Sequence, residues 1–235
     1  QTYSVLSDLL RDISDAAESI DYSPIVNVLV QHCASQDKFT RLTAITWLQP
    51  LITQGEEAML PFCPQVLDAV LSSLSHPEEE IREATARADV ALRELMHATS
   101  DVTFDVHSLL HALSSHLVSQ YVPTLLASLH WIDMLLHMDA PRVMEVSQQL
   151  WPSMFKCLSN PSEEVVRLDL ESLARMVPDT ARLEPFCELL LALLRTERTL
   201  LERRGALIVR QLCELLQPHR VFVTLARSLA AEKDI

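Results

Sequence analysis

Glycine is almost missing from this chain: Gly55 and Gly205 are the two present in 235 residues. Strands joined by tight turns need glycine at left-handed positions, whereas helix interiors avoid it. The same scarcity excludes a glycine-rich loop that cradles phosphate. Aromatic residues make up 5%, and leucine and alanine dominate the apolar set. Net positive charge is also lacking, since the formal charge is −13. A chain that binds nucleic acid or an anionic membrane through its whole surface carries a basic face, so neither class fits here. No apolar run reaches the ~20 residues that span a bilayer, which argues against direct membrane insertion. The first residues do not read as a signal peptide. Residue 1 falls almost inside a helical pattern, which points to a piece of a longer protein.

Paired cysteines are lacking too. Cys33, Cys63, Cys157, Cys187 and Cys213 are far apart, odd in number and form no C-x-x-C. Each lies in or beside an apolar helical stretch, where a free cysteine is a small hydrophobe. They read as reduced thiols of a cytosolic protein.

What is present is a period. The stretch Thr43 to Ile52 and the stretch Ala127 to Leu136 share a frame, with Trp47 matching Trp131 at an offset of 84. That offset is two units of 42, and a period near 40 in an all-helical chain predicts stacked helical hairpins. Helical patterns run about 3–17, 22–34, 37–54, 58–74, 78–97, 104–118, 121–137, 141–158, 162–177, 183–195, 198–216 and 218–232. The second helices of successive hairpins begin near 37, 78, 121, 162 and 198, in steps of 41, 43, 41 and 36. Pro50 should kink its helix and Gly55 should close it. Pro61 and Pro64 should sit in opening turns, and Asp101 or Thr103 should cap the helix from 104. Ile81-Arg82 and Val166-Arg167 each follow a proline and an acidic pair, the mark of a HEAT repeat. The aliphatic residue should face the core, and the arginine should reach the neighbouring unit. Trp47 and Trp131 are both expected in the core between hairpins.

The constellations that could carry chemistry are weak. His107 and His111 share a helix face, but the residues between them are Ser108-Leu109-Leu110, so the general base of a zinc protease is missing. His116 and His130 add no clear third ligand. Glu56-Glu57, Glu78-Glu79-Glu80 and Glu163-Glu164 fall at helix starts, where the helix dipole accounts for them. No G-x-S-x-G elbow is present. The reading is a non-enzyme without metal or cofactor. Charge distribution says more. Seven of the nineteen basic residues fall between 195 and 227, and all seven are arginine. Arg195, Arg198, Arg203, Arg204 and Arg210 are the candidate partner-binding residues, because arginine favours interfaces and bidentate contacts with carboxylate. A solvated face with pairs such as Glu202/Arg203 explains the same residues, and both readings stay open.

Four stretches carry a family resemblance. They are Leu200 to Cys213, Lys38 to Gln49 continued by Met59-Leu60-Pro61, Phe104 to Leu109, and Asn160 to Leu173. They resemble the ArPIKfyve family, the HEAT-repeat scaffold of the PIKfyve lipid-kinase complex. The resemblance implies a scaffold that holds a phosphatidylinositol-3-phosphate 5-kinase, of the PIKfyve type, together with its opposing Sac-domain phosphoinositide phosphatase. That complex regulates phosphatidylinositol 3,5-bisphosphate on the cytosolic face of endosomal, lysosomal or vacuolar membranes. It also implies self-association through regions outside these residues.

The expected fold is an all-α, HEAT-type α-solenoid of about five to six hairpins. Residues 1–20 form the trailing helix of an upstream repeat, 21–197 the middle HEAT repeats, and 198–235 the start of a C-terminal partner-binding region. The alternative function is a transport-type HEAT adaptor that binds cargo peptides in an acidic concave groove.

Overall fold

A computed structural model describes residues 21–99 and 104–231. The expected helix at 3–17 and the expected caps Asp101 and Thr103 lie outside the described residues. Eleven α-helices and no strand occur among the described residues. They are α1 (Ser23–Cys33), α2 (Lys38–Gly55), α3 (Cys63–Ser73), α4 (Glu79–Ala98), α5 (Val106–His116), α6 (Val122–Met138), α7 (Ala140–Cys157), α8 (Glu163–Arg175), α9 (Thr180–Thr196), α10 (Arg198–Leu215) and α11 (Pro218–Ala231). The chain divides into two compact units, 1–116 and 117–235. The first ends with α5 and the second opens with α6.

Helix starts follow local chemistry. The carboxylates of Asp37, Asp139 and Asp179 and the hydroxyl of Ser162 each accept from a backbone N–H of the following first turn. Each cap contributes about 1 kcal/mol. Asp105 does the same for α5, accepting from Ser108 N at 3.1 Å. Glu79, Glu80, Glu163 and Glu164 occupy first turns, beside the positive end of the helix dipole.

One expectation near residue 60 needs correction. The pattern at 58–74 is not one α-helix, because a 3-10 segment, Glu56–Phe62, precedes α3. Pro61 and Pro64 lie three residues apart and remove two N–H donors from successive turns, so the α-helix starts only at Cys63. Pro50 lies inside α2, which runs on to Gly55. Gly55 does close α2, but the left-handed backbone falls on Glu56, at φ 43°. Gly55 is needed for space: a Cβ there would stand 2.5 Å from Met59 Cγ and 3.3 Å from Tyr22.

Within each unit, helices pack on the helix two places along as well as on their hairpin partner. In the first unit α1 packs on α3 and α3 on α5, while α2 packs on α4. In the second, α6 packs on α8, α8 on α10, and α9 on α11. This two-layer stacking is the HEAT-type solenoid arrangement, and the sequence pattern explains it. In α4 the buried residues Ile81, Ala84, Thr85, Ala88, Leu92, Leu95 and Met96 recur at helical spacing. In α8, between α6, α7 and α10, eight of thirteen residues are buried. A helix whose buried side covers more than half its circumference needs neighbours on more than one side, while Glu164, Arg167 and Arg175 keep the remaining face in solvent.

The period also appears as hydrogen bonds. Partners 38 to 46 residues apart join Lys38 to Glu78, Ser159 to Glu197, Arg182 to the Met144 carbonyl, Arg204 to the Leu158 and Pro161 carbonyls, Arg220 to the Pro178 carbonyl and Arg227 to Glu184. Arg175 pairs with Asp133 in the same way. The arginines of the HEAT mark behave differently from the expectation. Arg82 donates to the carbonyls of His76 and Pro77 in its own hairpin loop, at 2.9 and 2.7 Å, and Arg167 pairs with Glu171 on its own helix. A side chain in the first turn reaches back to its own loop before it can reach another hairpin. Arg41 repeats the device, donating to Ser35 O six residues back. Ile81 and Val166 are buried as expected.

The tryptophan frame splits. Trp131 is fully buried. Trp47 is half-buried and lines a groove with Leu29, His32 and Phe39, so it is not a core residue. Shared frame fixes the direction of a side chain, while burial depends on what lies opposite. Trp151 is the second buried indole, edge-on to Phe186 at 5.7 Å between ring centres, and it ties α7 to α9. Trp131→Ala should lower unfolding free energy by about 3–5 kcal/mol. Trp47→Ala should cost clearly less, in the same urea titration, because part of its ring already meets water.

Candidate functional site

The candidate arginines stand on two helices of the second unit. Arg195 lies in the last turn of α9 and is exposed. Arg198 opens α10 and pairs with Glu202 at 3.3 Å, with both side chains largely in solvent. Such a pair contributes at most about 1 kcal/mol. Arg203 is exposed and has no hydrogen-bond or ion-pair partner among the described residues. Arg204 is half-buried and donates to the carbonyls of Leu158 and Pro161 at 3.5 and 3.3 Å. Arg210 is exposed, two turns beyond Arg203 on α10.

The structure brings Arg203 and Arg204 together in a groove, and leaves Arg195, Arg198 and Arg210 outside its lining. Two adjoining cavities share the pair. One, of about 330 Å³, is lined by Ser159, Pro161, Glu197, Thr199 and Leu200. The other, of about 370 Å³, runs between α8 and α10 and is lined by Glu163, Val166, Arg167, Leu170, Leu207 and Gln211. Val166 and Leu170 are buried and form an apolar floor. The α10 stripe explains the opening. Only Leu200, Gly205, Ile208 and Leu212 of its eighteen residues are buried, which leaves Leu201, Leu207 and Leu215 exposed. The next helix, α11, also carries exposed Phe222, Val223 and Leu229.

Sequence reasoning missed Glu163, Arg167 and Leu207 as neighbours of the arginine pair. Glu163 and Arg167 stand about 40 residues away in sequence, where only the repeat period could have aligned them, while Leu207 is one turn along the same helix.

A different groove lies in the first unit. It has a volume of about 390 Å³ and is lined by Glu56, Glu57 and Glu94 beside Ile52, Ala91 and Leu95.

The strongly shifted titratable groups owe their shifts to burial in the helix stack. Burial pushes Cys33 and Cys63 up to about 12 and Cys187 to about 11. Cys157 is raised further, and its thiol donates to Leu117 O at 3.4 Å. Such thiols are poor nucleophiles. His107 and His111 belong to no set of three or more metal-type side chains among the described residues. His116 instead meets Asp68 at 2.8 Å, joining α5 to α3.

The chain is similar in sequence to known proteins over its whole length. Residues 198–235 match the family model described as Vacuolar protein 14 C-terminal Fig4p binding. A VAC14 homolog from Arabidopsis thaliana is 35% identical over 235 residues, which is all of this chain and 31% of that protein. The chain belongs to the VAC14 family. A VAC14 homolog from Schizosaccharomyces pombe is 27% identical, over 96% of this chain and 31% of its own length. The Vacuole morphology and inheritance protein 14 of Saccharomyces cerevisiae is 22% identical, over 92% of this chain and 25% of its own. The chain therefore spans about a third or less of these VAC14-family relatives. Among solved structures, a crystal structure of an engineered protein overlaps 89% of this chain and 90% of its own, at 16% identity and a TM-score of 0.45.

One buried residue invites a pH measurement. Asp169 on α8 is fully buried, and neither carboxylate oxygen has a hydrogen-bond partner. Ser172 Oγ, one turn along, and Trp151 Nε1 are likewise unpaired. Burial raises the Asp169 carboxyl well above its ordinary value, so folding favours its protonated form. The folded state then binds more protons than the unfolded one above about pH 4. The stability of the protonated form is present in full below that pH and is lost as pH rises through the folded value. Asp169→Asn should therefore melt higher than the parent at pH 8, with the difference shrinking towards pH 4.

Proposed function

We propose that the chain is a non-catalytic part of a scaffold that holds a phosphatidylinositol-3-phosphate 5-kinase and its opposing Sac-type phosphatase together. The observation that carries this reading is the match of 198–235 to a partner-binding family region, on the helices that leave arginine and leucine side chains unburied. The mechanism is geometric. A stack of hairpins fixes the separation of two docking surfaces, and each enzyme raises the effective concentration of the other. The two activities then set phosphatidylinositol 3,5-bisphosphate from one assembly, on the cytosolic face of endosomal or vacuolar membranes. No described helix is long and apolar enough to cross a membrane, so membrane attachment in this reading comes through the partners.

The arginine face of α9 and α10, from Arg195 to Arg210, serves as the docking surface for an acidic segment of a partner. Arg203 is its strongest member, because its donors are unspent. A second reading, an adaptor for basic cargo peptides, has the acidic groove at Glu56, Glu57 and Glu94 in its favour.

Co-purification from cells separates the two. The full-length protein should retain the lipid kinase and the Sac-type phosphatase. Reversal of Arg203 and Arg204 to Glu should cut phosphatase recovery several-fold while leaving kinase recovery in place. Recovery of neither enzyme by the unaltered protein would sink the scaffold reading, and unchanged recovery by the variant would return the two arginines to a solvated face.

A further inference from the structure

The groove between α8 and α10 has a chemistry more specific than a basic patch. Arg203 is a cation without a partner among the described residues, and the nearest carboxylate in sequence, Glu202, is already taken by Arg198. Arg204 beside it holds two long bonds to carbonyl oxygens, which leave further N–H donors of its guanidinium for a ligand. Both arginines border both cavities. One turn along α10 stands Leu207, 36% exposed, over the buried floor of Val166 and Leu170. A carboxylate site and an apolar site thus adjoin on one helix face.

The spacing selects an occupant. Arg203 and Leu207 are four residues apart, which is about 6 Å along a helix axis. An extended peptide advances about 3.3 Å per residue, and alternate side chains point the same way. Two side chains separated by one residue therefore match the two sites. Arg167 is paired with Glu171, and Glu163 and Glu197 also line the cavities. Their carboxylates disfavour a ligand that is anionic throughout, such as a lipid headgroup surface, and favour one isolated acid beside an apolar residue.

We propose that this groove docks an extended protein segment in which an Asp or Glu is followed two positions later by a large apolar residue. The carboxylate is held between Arg203 and Arg204, where charge-assisted and forked hydrogen bonds are available. The apolar side chain covers Leu207. This inference rests on the scaffold reading and names the recognition element of its docking surface.

A phage-displayed library of random decapeptides, selected on the full-length protein, tests it. The expected result is enrichment of an acidic residue with Leu, Ile or Phe two positions on. Binding of the enriched peptides should fall at least tenfold in each of two separate variants, Arg203→Ser and Leu207→Ser, and stay unchanged in a variant of an exposed arginine on α4, Arg87→Ser. Both altered side chains are solvent-facing, and either variant that melts like the parent suffices. Enrichment of basic peptides, no enrichment, or enrichment indifferent to Leu207→Ser would overturn the proposal. Equal Arg203-dependent binding to phosphatidylserine vesicles would overturn it in favour of a lipid surface. Retained co-purification of kinase and phosphatase alongside a failed selection would remove the groove and leave the scaffold reading standing.

Discussion

Most of the described helices bury their apolar faces against the helix one repeat away as well as within their own hairpin. That constraint organises both units. The aliphatic stripes of α2 and α4 close on each other, as do those of α6, α8 and α10. Fully buried side chains such as Ile45, Leu48, Ile81 and Leu92 supply about 1.5–3 kcal/mol each. Stability built this way is a sum of neighbour terms. It also decides which surfaces stay open, because a helix with a narrow buried stripe, such as α10, leaves the rest of its circumference for something else.

Polar side chains reinforce the stack without driving it. The bonds between partners about 40 residues apart are mostly exposed or half-buried, so each is worth little alone. Their value lies in register. Arg204 and Arg220 donate to carbonyls in the loops beyond helix ends, groups outside the regular helical ladder, and Arg182 donates to the Met144 carbonyl inside α7, which also accepts from Ser147. Arg41 and Arg82 do this inside their own hairpins. Arginine thus serves as the joint of the repeat, and Arg203 is notable because it takes no part in one.

Much of the architecture was legible because its signals are local. Proline at 24, 123 and 218, and the caps Asp37, Ser162 and Asp179, set helix starts within a few residues of those expected. The period of about 41 ordered the hairpins. What failed depends on partners far along the chain. Trp47 and Trp131 share a frame and differ in cover. The HEAT-mark arginines turn to their own loops or helix. Asp169 looks like any acidic residue of an amphipathic helix, yet it falls on the buried side of α8. Of the candidate site, the arginines were visible as a run of one residue type. The groove was not, since its opposite wall at Glu163 to Leu170 comes from the preceding hairpin.

The central claim is that α10 is both a member of the stack and the place where a partner attaches. Hydrogen–deuterium exchange on the full-length protein, with and without the purified Sac-type phosphatase, tests it most directly. The predicted result is slowed exchange across 198–215 and in the loop at 158–162, with residues 23–98 unchanged. Protection confined to 23–98, or none in α10 at saturating phosphatase, would contradict it.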